Sequence, residues 1–296
     1  MSPNKTVSII IPSLHSPVVD RTLDSLKTQT YDLGRAEVLV VGQDRHQLIV
    51  EDALVRFIPT ERPVIQAVSR NIGAQQAQGD ILIFTDADCL ADPVWVDTLV
   101  ARFEDSRVQL VGGGVVFPDD DYWTLCDNIA ILYEWLSAGA RGKRPYLASL
   151  NLAIRRAAWE RLGGFDESFV KAEDTELSIR ARLAGYDLYF EPQAVVVHQP
   201  PPSRNRFRHM VRRAFESGYW TMRAFSRYQE EIDLHLIYRR AWLMLLSAPL
   251  TAAGVTVRIL RSQALHRYWY TAPAVYVSKL AWRIGGAYCL WEDSSK

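Results

Sequence analysis

The sequence has little cysteine, no net charge, and no repeated or low-complexity segment. Its three cysteines, Cys89, Cys126 and Cys289, are odd in number and far apart. They form neither a disulfide framework nor a zinc pattern, and they fit a reducing compartment. Cys89 reads as a small buried thiol. The 34 basic residues balance 34 acidic ones, so no global charge draws the chain to nucleic acid, and no nucleic-acid partner is expected. Met1-Ser2-Pro3-Asn4-Lys5 leads straight into an apolar run without the basic start and apolar stretch of a secretory signal, so a cytoplasmic chain is expected. What remains is an ordinary globular balance: 296 residues, 48% hydrophobic and 23% charged. That is enough apolar material for one large domain, or one domain with an appendage.

Short apolar runs alternate with helical spacing through the first half. Val7-Ser8-Ile9-Ile10-Ile11-Pro12 reads as a buried strand stopped by proline. Leu23 and Leu26 sit at helical spacing within Asp20 to Gln29. Glu37 to Val41, ended by Gly42, and Val55 to Ile58 are further strands. Val64 to Ala77 is a helix that Gly79 can end, and Ile81 to Phe84 is the next strand. This alternation predicts an α/β fold with a mostly parallel sheet and helices on both faces. Ligands of such sheets bind beyond the carboxyl ends of the strands. Later come a glycine-broken strand at Leu110 to Phe117, an aromatic helix at Tyr122 to Leu136, and a strand at Leu147 to Ile154. A helix opens at Glu173-Asp174-Thr175-Glu176 and is capped by Gly185. A strand pair, Leu188 to Phe190 and Ala194 to Val197, ends at His198.

Asp86-Ala87-Asp88 lies at the carboxyl end of one strand. In an extended segment side chains at i and i+2 point the same way. Two carboxylates facing one spot repel unless one holds a proton or a cation joins them. A hard divalent cation with oxygen ligands is the simplest partner, and it can also hold a diphosphate. The plainer alternative is a solvated acidic turn.

Several elements in order make a family resemblance plain: the opening Val7 to Pro12; Ser69-Arg70-Asn71-Ile72-Gly73-Ala74 leading to Gly79-Asp80; Thr85-Asp86-Ala87-Asp88; Asn151; Gly163-Gly164-Phe165-Asp166-Glu167; Glu173 to Leu177; and Pro192 to His198. The chain resembles glycosyltransferase family 2, inverting enzymes of the GT-A fold that use nucleotide-sugar donors, over roughly residues 6 to 200. The resemblance implies that Asp88 binds Mg2+ or Mn2+ directly and that Asp86 contacts the donor ribose or a metal-bound water. It implies Asp174 as the general base that deprotonates an acceptor hydroxyl, with Glu173 and Asn151 on the acceptor side. Taken alone Asp174 reads first as a helix cap; with Asp86-Ala87-Asp88 and the Gly163-Gly164-Phe165 turn it reads as the base. His198 is either a third metal ligand or a packed histidine. Pro12 and Ser13 should border the base, and Arg70 and Asn71 the donor, unless Asn71 merely caps backbone groups. Relatives carry an acidic residue soon after the second strand. Here Asp44 takes that role one or two residues late. A UDP-sugar donor is the default.

Pro200-Pro201-Pro202 marks a boundary, giving a catalytic domain at 1–200 and a helical appendage at 201–296. The appendage opens with a basic segment, in which Arg204, Arg206, Arg208, Arg212, Arg213, Arg223 and Arg227 stand against Glu216. Apolar stretches at 241–257 and 268–282 follow, each shorter than the roughly twenty residues that span a bilayer. Trp242, Trp269, Tyr270, Tyr276, Trp282 and Trp291 suit a membrane interface. The expectation is a peripheral attachment to the anionic inner face of the cell membrane, which suits a lipid-linked as well as a saccharide acceptor. Two other classes compete. A sugar nucleotidyltransferase would need a glycine-rich basic loop after the first strand, where Pro12-Ser13-Leu14-His15-Ser16 has no glycine. A non-catalytic lipid- or sugar-binding protein would not need Asp86, Asp88 and Asp174 together.

Overall fold

The computed structural model describes residues 5–201 and 206–294. Met1 to Asn4 of the N-terminal reading, Pro202 of the boundary and Arg204 of the basic segment lie outside the described residues. The chain divides into two compact units. The first is Met1–Phe117 with Trp135–Pro201, and the second is Pro118–Glu134 with Pro202–Lys296.

The first unit holds a mixed sheet built from β1 (Val7–Leu14), β2 (Ala36–Gln43), β3 (Val55–Pro59), β4 (Ile81–Thr85), β5 (Cys89–Ala91), β6 (Leu110–Val116), β7 (Gly142–Lys143), β8 (Asn151–Arg155) and β9 (Leu188–His198). The order is β3-β2-β1-β4-β8-β6-β9-β5, with β7 pairing β9. β3, β2, β1 and β4 run parallel, as do β6 and β9. β8, β5 and β7 run antiparallel to their neighbours. The helices of this unit are α1 (Val19–Lys27), α2 (Gln66–Gln76), α3 (Trp95–Arg102), α5 (Arg156–Leu162) and α6 (Glu173–Leu183); α4 (Tyr122–Leu132) lies in the other unit. The expected α/β architecture, with a mostly parallel sheet and helices around it, is therefore present.

Val7 to Ser13 are buried without a break. Side chains alternate between faces, so both faces of β1 are covered, as a parallel strand requires. One face packs Ile10, Leu39, Leu82, Leu110 and Ile154 against Ala67 and Ala74 of α2, Trp159 of α5 and Leu177 of α6. Pro12 does not stop β1. Pairing to β4 ends at Ile10↔Phe84, while pairing to β2 continues through Pro12↔Val41 to Leu14↔Gln43. The proline lies past the end of one ladder, where a missing N–H is tolerated. Gly42 sits inside β2 with φ +140°, and a Cβ there would stand 1.9 Å from the Ser13 carbonyl oxygen. Only glycine lets β1 and β2 close at this edge.

Three boundaries differ from the sequence reading. β8 begins at Asn151, four residues later than the apolar run. Residues 188–198 form one strand whose pairing with β6 shifts register between Gly113 and Gly114. β5 follows Asp88 directly and was not anticipated; it is only three residues long, with no period to read.

The second unit contains α4, α7 (Arg206–Arg227), α8 (Ala241–Arg261) and α9 (Ala272–Ser294). Cys126 of α4, Met210 of α7 and Ala274 of α9 form a small core. The apolar stretch of residues 241–257 runs on through Arg258 to Arg261. The resulting 21-residue helix is long and apolar enough to cross a membrane by length and composition, which overturns the shorter estimate. The basic segment is also changed by its partners. Arg206 pairs Asp121, Arg213 pairs Asp127 at 2.6 Å, Arg223 pairs Asp293 at 2.6 Å and Arg212 pairs Glu216 at 2.7 Å.

Candidate active site

The carboxyl ends of β1, β2, β4, β6 and β9, and the amino end of antiparallel β8, share one edge of the sheet. The sequence places its acidic residues there. β4 ends at Thr85, and Asp86-Ala87-Asp88 is a turn rather than an extended segment. The two carboxylates therefore take different partners. Asp86 Oδ1 accepts from Arg70 Nη2 at 2.6 Å. Asp88 Oδ1 stands 3.8 Å from His198 Nε2.

Strand pairing produces the Asp88–His198 approach. β5 and β9 are antiparallel with Cys89 opposite His198, and the Gln199 N–H donates to the Asp88 carbonyl at 2.9 Å. His198 is buried and Asp88 about a quarter exposed. Among the described residues no group of three or more His, Cys, Asp or Glu side chains could hold a metal ion. Asp88 and His198 are the residues that could supply one oxygen and one nitrogen ligand, while Asp86 Oδ1 is bonded to Arg70. A site with one or two protein ligands fits an Mg2+- or Mn2+-type ion that takes its remaining ligands from substrate phosphates and water.

Arg70 is fully buried. It lies with Ala67 and Ala74 on the buried stripe of α2. Nη2 reaches Asp86, Nη1 reaches Glu173 Oε1 at 2.5 Å, and the guanidinium carbon lies 5.6 Å from the Phe165 ring centroid. One guanidinium fork thus ties the turn after β4 to the start of α6. Burial pushes the Glu173 carboxyl up to about 7, against the pull of Arg70 and with a further push from Asp174.

Asp174 is the second residue of α6. The N-cap position is Ala172, whose φ is +58° and which has no side-chain cap. A non-glycine residue in this region is strained. Asp174 Oδ2 accepts from the Ser149 backbone N–H at 3.0 Å, and Oδ1 accepts from the Thr175 N–H at 2.7 Å. Ser149 Oγ stands 3.4 Å from both Glu173 Oε1 and Asp174 Oδ2. Ser149, which the sequence reading missed, thus orients the two adjacent carboxylates. Only its place just before β8 could have pointed to it.

Other expected site residues have structural work. Asn151 is buried; its amide accepts from Trp95 Nε1 at 2.9 Å and donates to Gly114 O at 3.0 Å and Ala194 O at 2.9 Å. With its hydrogen bonds used inside the core, Asn151 leaves the acceptor set. Asn71 donates to Phe165 O and Glu167 Oε1 and accepts from Phe165 N, all within 3.0 Å. It pins the Gly163-Gly164 turn, so the backbone-capping alternative is the one seen. Asp44 accepts from the N–H groups of His46 at 3.2 Å and Ile49 at 2.8 Å, closing its own loop instead of facing a nucleoside. Pro12 and Ser13 are buried at the edge where β1 ends, and Ser13 Oγ has no hydrogen-bond partner.

Comparison with known proteins follows the same lines. Glycosyltransferase AglE of Haloferax volcanii is 27% identical over 249 residues, covering 80% of each chain. Glucosyl-dolichyl phosphate glucuronosyltransferase of the same organism is 26% identical, covering 67% of this chain and 69% of its own. The solved structure of mannosyltransferase PcManGT from Pyrobaculum calidifontis, in complex with GDP-Man and Mn2+, superposes with a TM-score of 0.58 at 18% identity, covering 93% of this chain and 86% of that one. It shows a shared fold. The sequence model described as Glycosyl transferase family 2 matches residues 8–159. With that match over half its length, this chain belongs to glycosyltransferase family 2.

Proposed function

We propose that the protein transfers a sugar, with inversion, from a nucleotide-diphosphate sugar, by default a UDP-sugar, to a hydroxyl of a saccharide or lipid-linked acceptor. The observation that carries this reading is the Arg70 fork, which holds the Asp86 turn and the Glu173-Asp174 helix start together at one sheet edge. Asp88 and His198 would hold Mg2+ or Mn2+, which when bound offsets charge on a departing diphosphate. Asp174 takes the proton of the acceptor hydroxyl as it attacks the anomeric carbon from the face opposite the diphosphate. The Ser149 N–H holds Asp174 Oδ2 and the Thr175 N–H holds Oδ1, which fixes the carboxylate in place. Ser13, with its buried and unpartnered hydroxyl, borders the donor. Arg70 acts indirectly, by orienting Asp86 and Glu173.

The lipid-linked acceptor is the subclass favoured by the dolichyl-phosphate substrate in the name of one relative and by the apolar α8. It places the protein at the cytoplasmic face of a membrane. Donor hydrolysis with Mg2+ or Mn2+ tests the reaction, together with Asp174→Asn. The variant should keep donor affinity and lower kcat at least about 100-fold. Collapse of donor binding with turnover preserved would give Asp174 a binding role and overturn the base assignment.

A further inference from the structure

The geometry points to α8, rather than the basic helix α7, as the surface that meets lipid, lying in the plane of an anionic membrane. This rests on the membrane reading above, which used only the apolarity of α8, and adds the orientation of that helix and the charge of the lipid it meets. The arginines of α7 that invited a lipid role are largely committed to carboxylates inside the second unit. α8 is the reverse. Met244, Ala248, Ala252, Thr256 and Ile259 form its buried stripe. Its outward stripe is Trp242, Leu245, Leu246, Leu250 and Val257, with Leu246 73% and Leu250 81% exposed. A Cβ on Gly254 would meet nothing within 4 Å. An outward face this apolar over a 21-residue helix is unlike the normal solvent face of a surface helix.

Charge selects the occupant. Residues 234–291 contain six arginines, one lysine and no Asp or Glu. Arg239 and Arg240 precede the stripe, and Arg258 and Arg261 continue it. All four are exposed, and no described carboxylate pairs with them. Two copies packed through this face would set arginines against arginines whether the helices ran parallel or antiparallel, and such juxtaposition is unfavourable. Anionic headgroups neutralise both ends at once. Exposed Trp242, Trp269 and Tyr270 are side chains of the interfacial layer. Crossing the bilayer is disfavoured by the neighbours. α8 packs on α9 and α9 on α7, so a spanning α8 would drag the exposed Arg212 and its partner Glu216 toward hydrocarbon. An in-plane helix buries only its apolar face.

The test is sedimentation of the full chain with phosphatidylcholine vesicles, with and without phosphatidylglycerol. Wild-type protein should bind the mixed vesicles and bind the neutral ones weakly. Leu246→Glu with Leu250→Glu should weaken partitioning at least about tenfold, because the glutamates would enter the apolar layer; the sites are exposed, so folding is spared. Arg258→Glu with Arg261→Glu should remove the preference for phosphatidylglycerol, and Arg212→Glu on α7 should change nothing. Vesicle binding that survives the double leucine variant but is lost in Arg212→Glu overturns the assignment to α8 while leaving the membrane reading standing. Absence of wild-type binding to either vesicle overturns both. A wild-type dimer in sedimentation velocity that the leucine variant makes monomeric, without vesicle binding, assigns the face to a second copy and also overturns the proposal. Donor hydrolysis in solution, read on the same samples, reports the sugar-transfer reading separately.

Discussion

Two arginine arrangements, one in each unit, handle charge in opposite ways. In the first, a guanidinium is taken out of water entirely and held between two carboxylates, Asp86 and Glu173, that belong to distant segments. In the second, arginines pair near the surface within reach of solvent, and the long helix α8 turns leucines outward. A buried pair gains little net stability, because desolvation offsets attraction, yet it is costly to break. An exposed pair is worth little either way. The difference teaches that the Arg70 pairs fix geometry, whereas the solvent-reached pairs of α7 hold their own arginines and leave those around α8 uncommitted.

The largest expected effect comes from breaking the buried arrangement. Arg70→Ala leaves Glu173 and Asp86 without their shared partner, and should cost about 3–5 kcal/mol in urea unfolding. Arg212→Ala, which removes an exposed pair in the second unit, should leave the urea midpoint where it was. Equal effects from the two variants would erase the contrast. A smaller effect is a pH dependence. Glu173 has a folded pKa of about 7, raised from 4.5. A raised carboxyl contributes stability that is complete below pH 4.5 and is lost as pH rises through about 7. Wild-type protein should therefore lose stability relative to Glu173→Gln between these limits, read as the difference of their urea midpoints. A constant difference would mean that Glu173 is ionised throughout. The smallest effect concerns Ala172. Ala172→Gly relieves the φ of +58° and should stabilise the fold by up to about 1 kcal/mol. Because it loosens the start of α6, kcat should fall while donor affinity holds. A gain in both stability and kcat would show that the strain serves nothing.

Much of this was legible in the sequence. The alternation of strands and helices specified the sheet, because apolar runs buried on both faces have few other homes. The Asp86-Ala87-Asp88 segment marked the sheet edge at which the Arg70 fork and the Asp88–His198 approach lie. Arg70 was not legible in this way: the sequence set it at the border of the donor, and the structure places it with Ala67 and Ala74 on the stripe of α2 that faces the core. The failures share one cause. Asn71, Asn151 and Asp44 are polar residues near the sheet edge, where a side chain reads the same whether it binds a ligand or the chain itself. Asn71 spends its amide on Phe165, 94 residues away, and no local pattern encodes such a distance. The outward face of α8 was hidden differently. Apolar residues occur all round that helix, so periodicity alone could not say which side was covered.

Helix α4 carries a consequence for synthesis. It belongs with α7 and α9, yet it lies between β6 and β7 in the chain. Its residues Leu125, Cys126 and Ile129, fully buried in the finished protein, leave the ribosome well before their partners. From Leu132 to Arg206, where α7 begins, 206 − 132 = 74 positions must be added. At typical elongation rates that takes roughly 4–15 s. During that interval an apolar helix waits without α7 and α9, and the last long strand of the sheet, β9, is itself still to come. The nascent chain therefore exposes a binding site for a holdase chaperone over this window, and it closes that site only when α7 and α9 arrive.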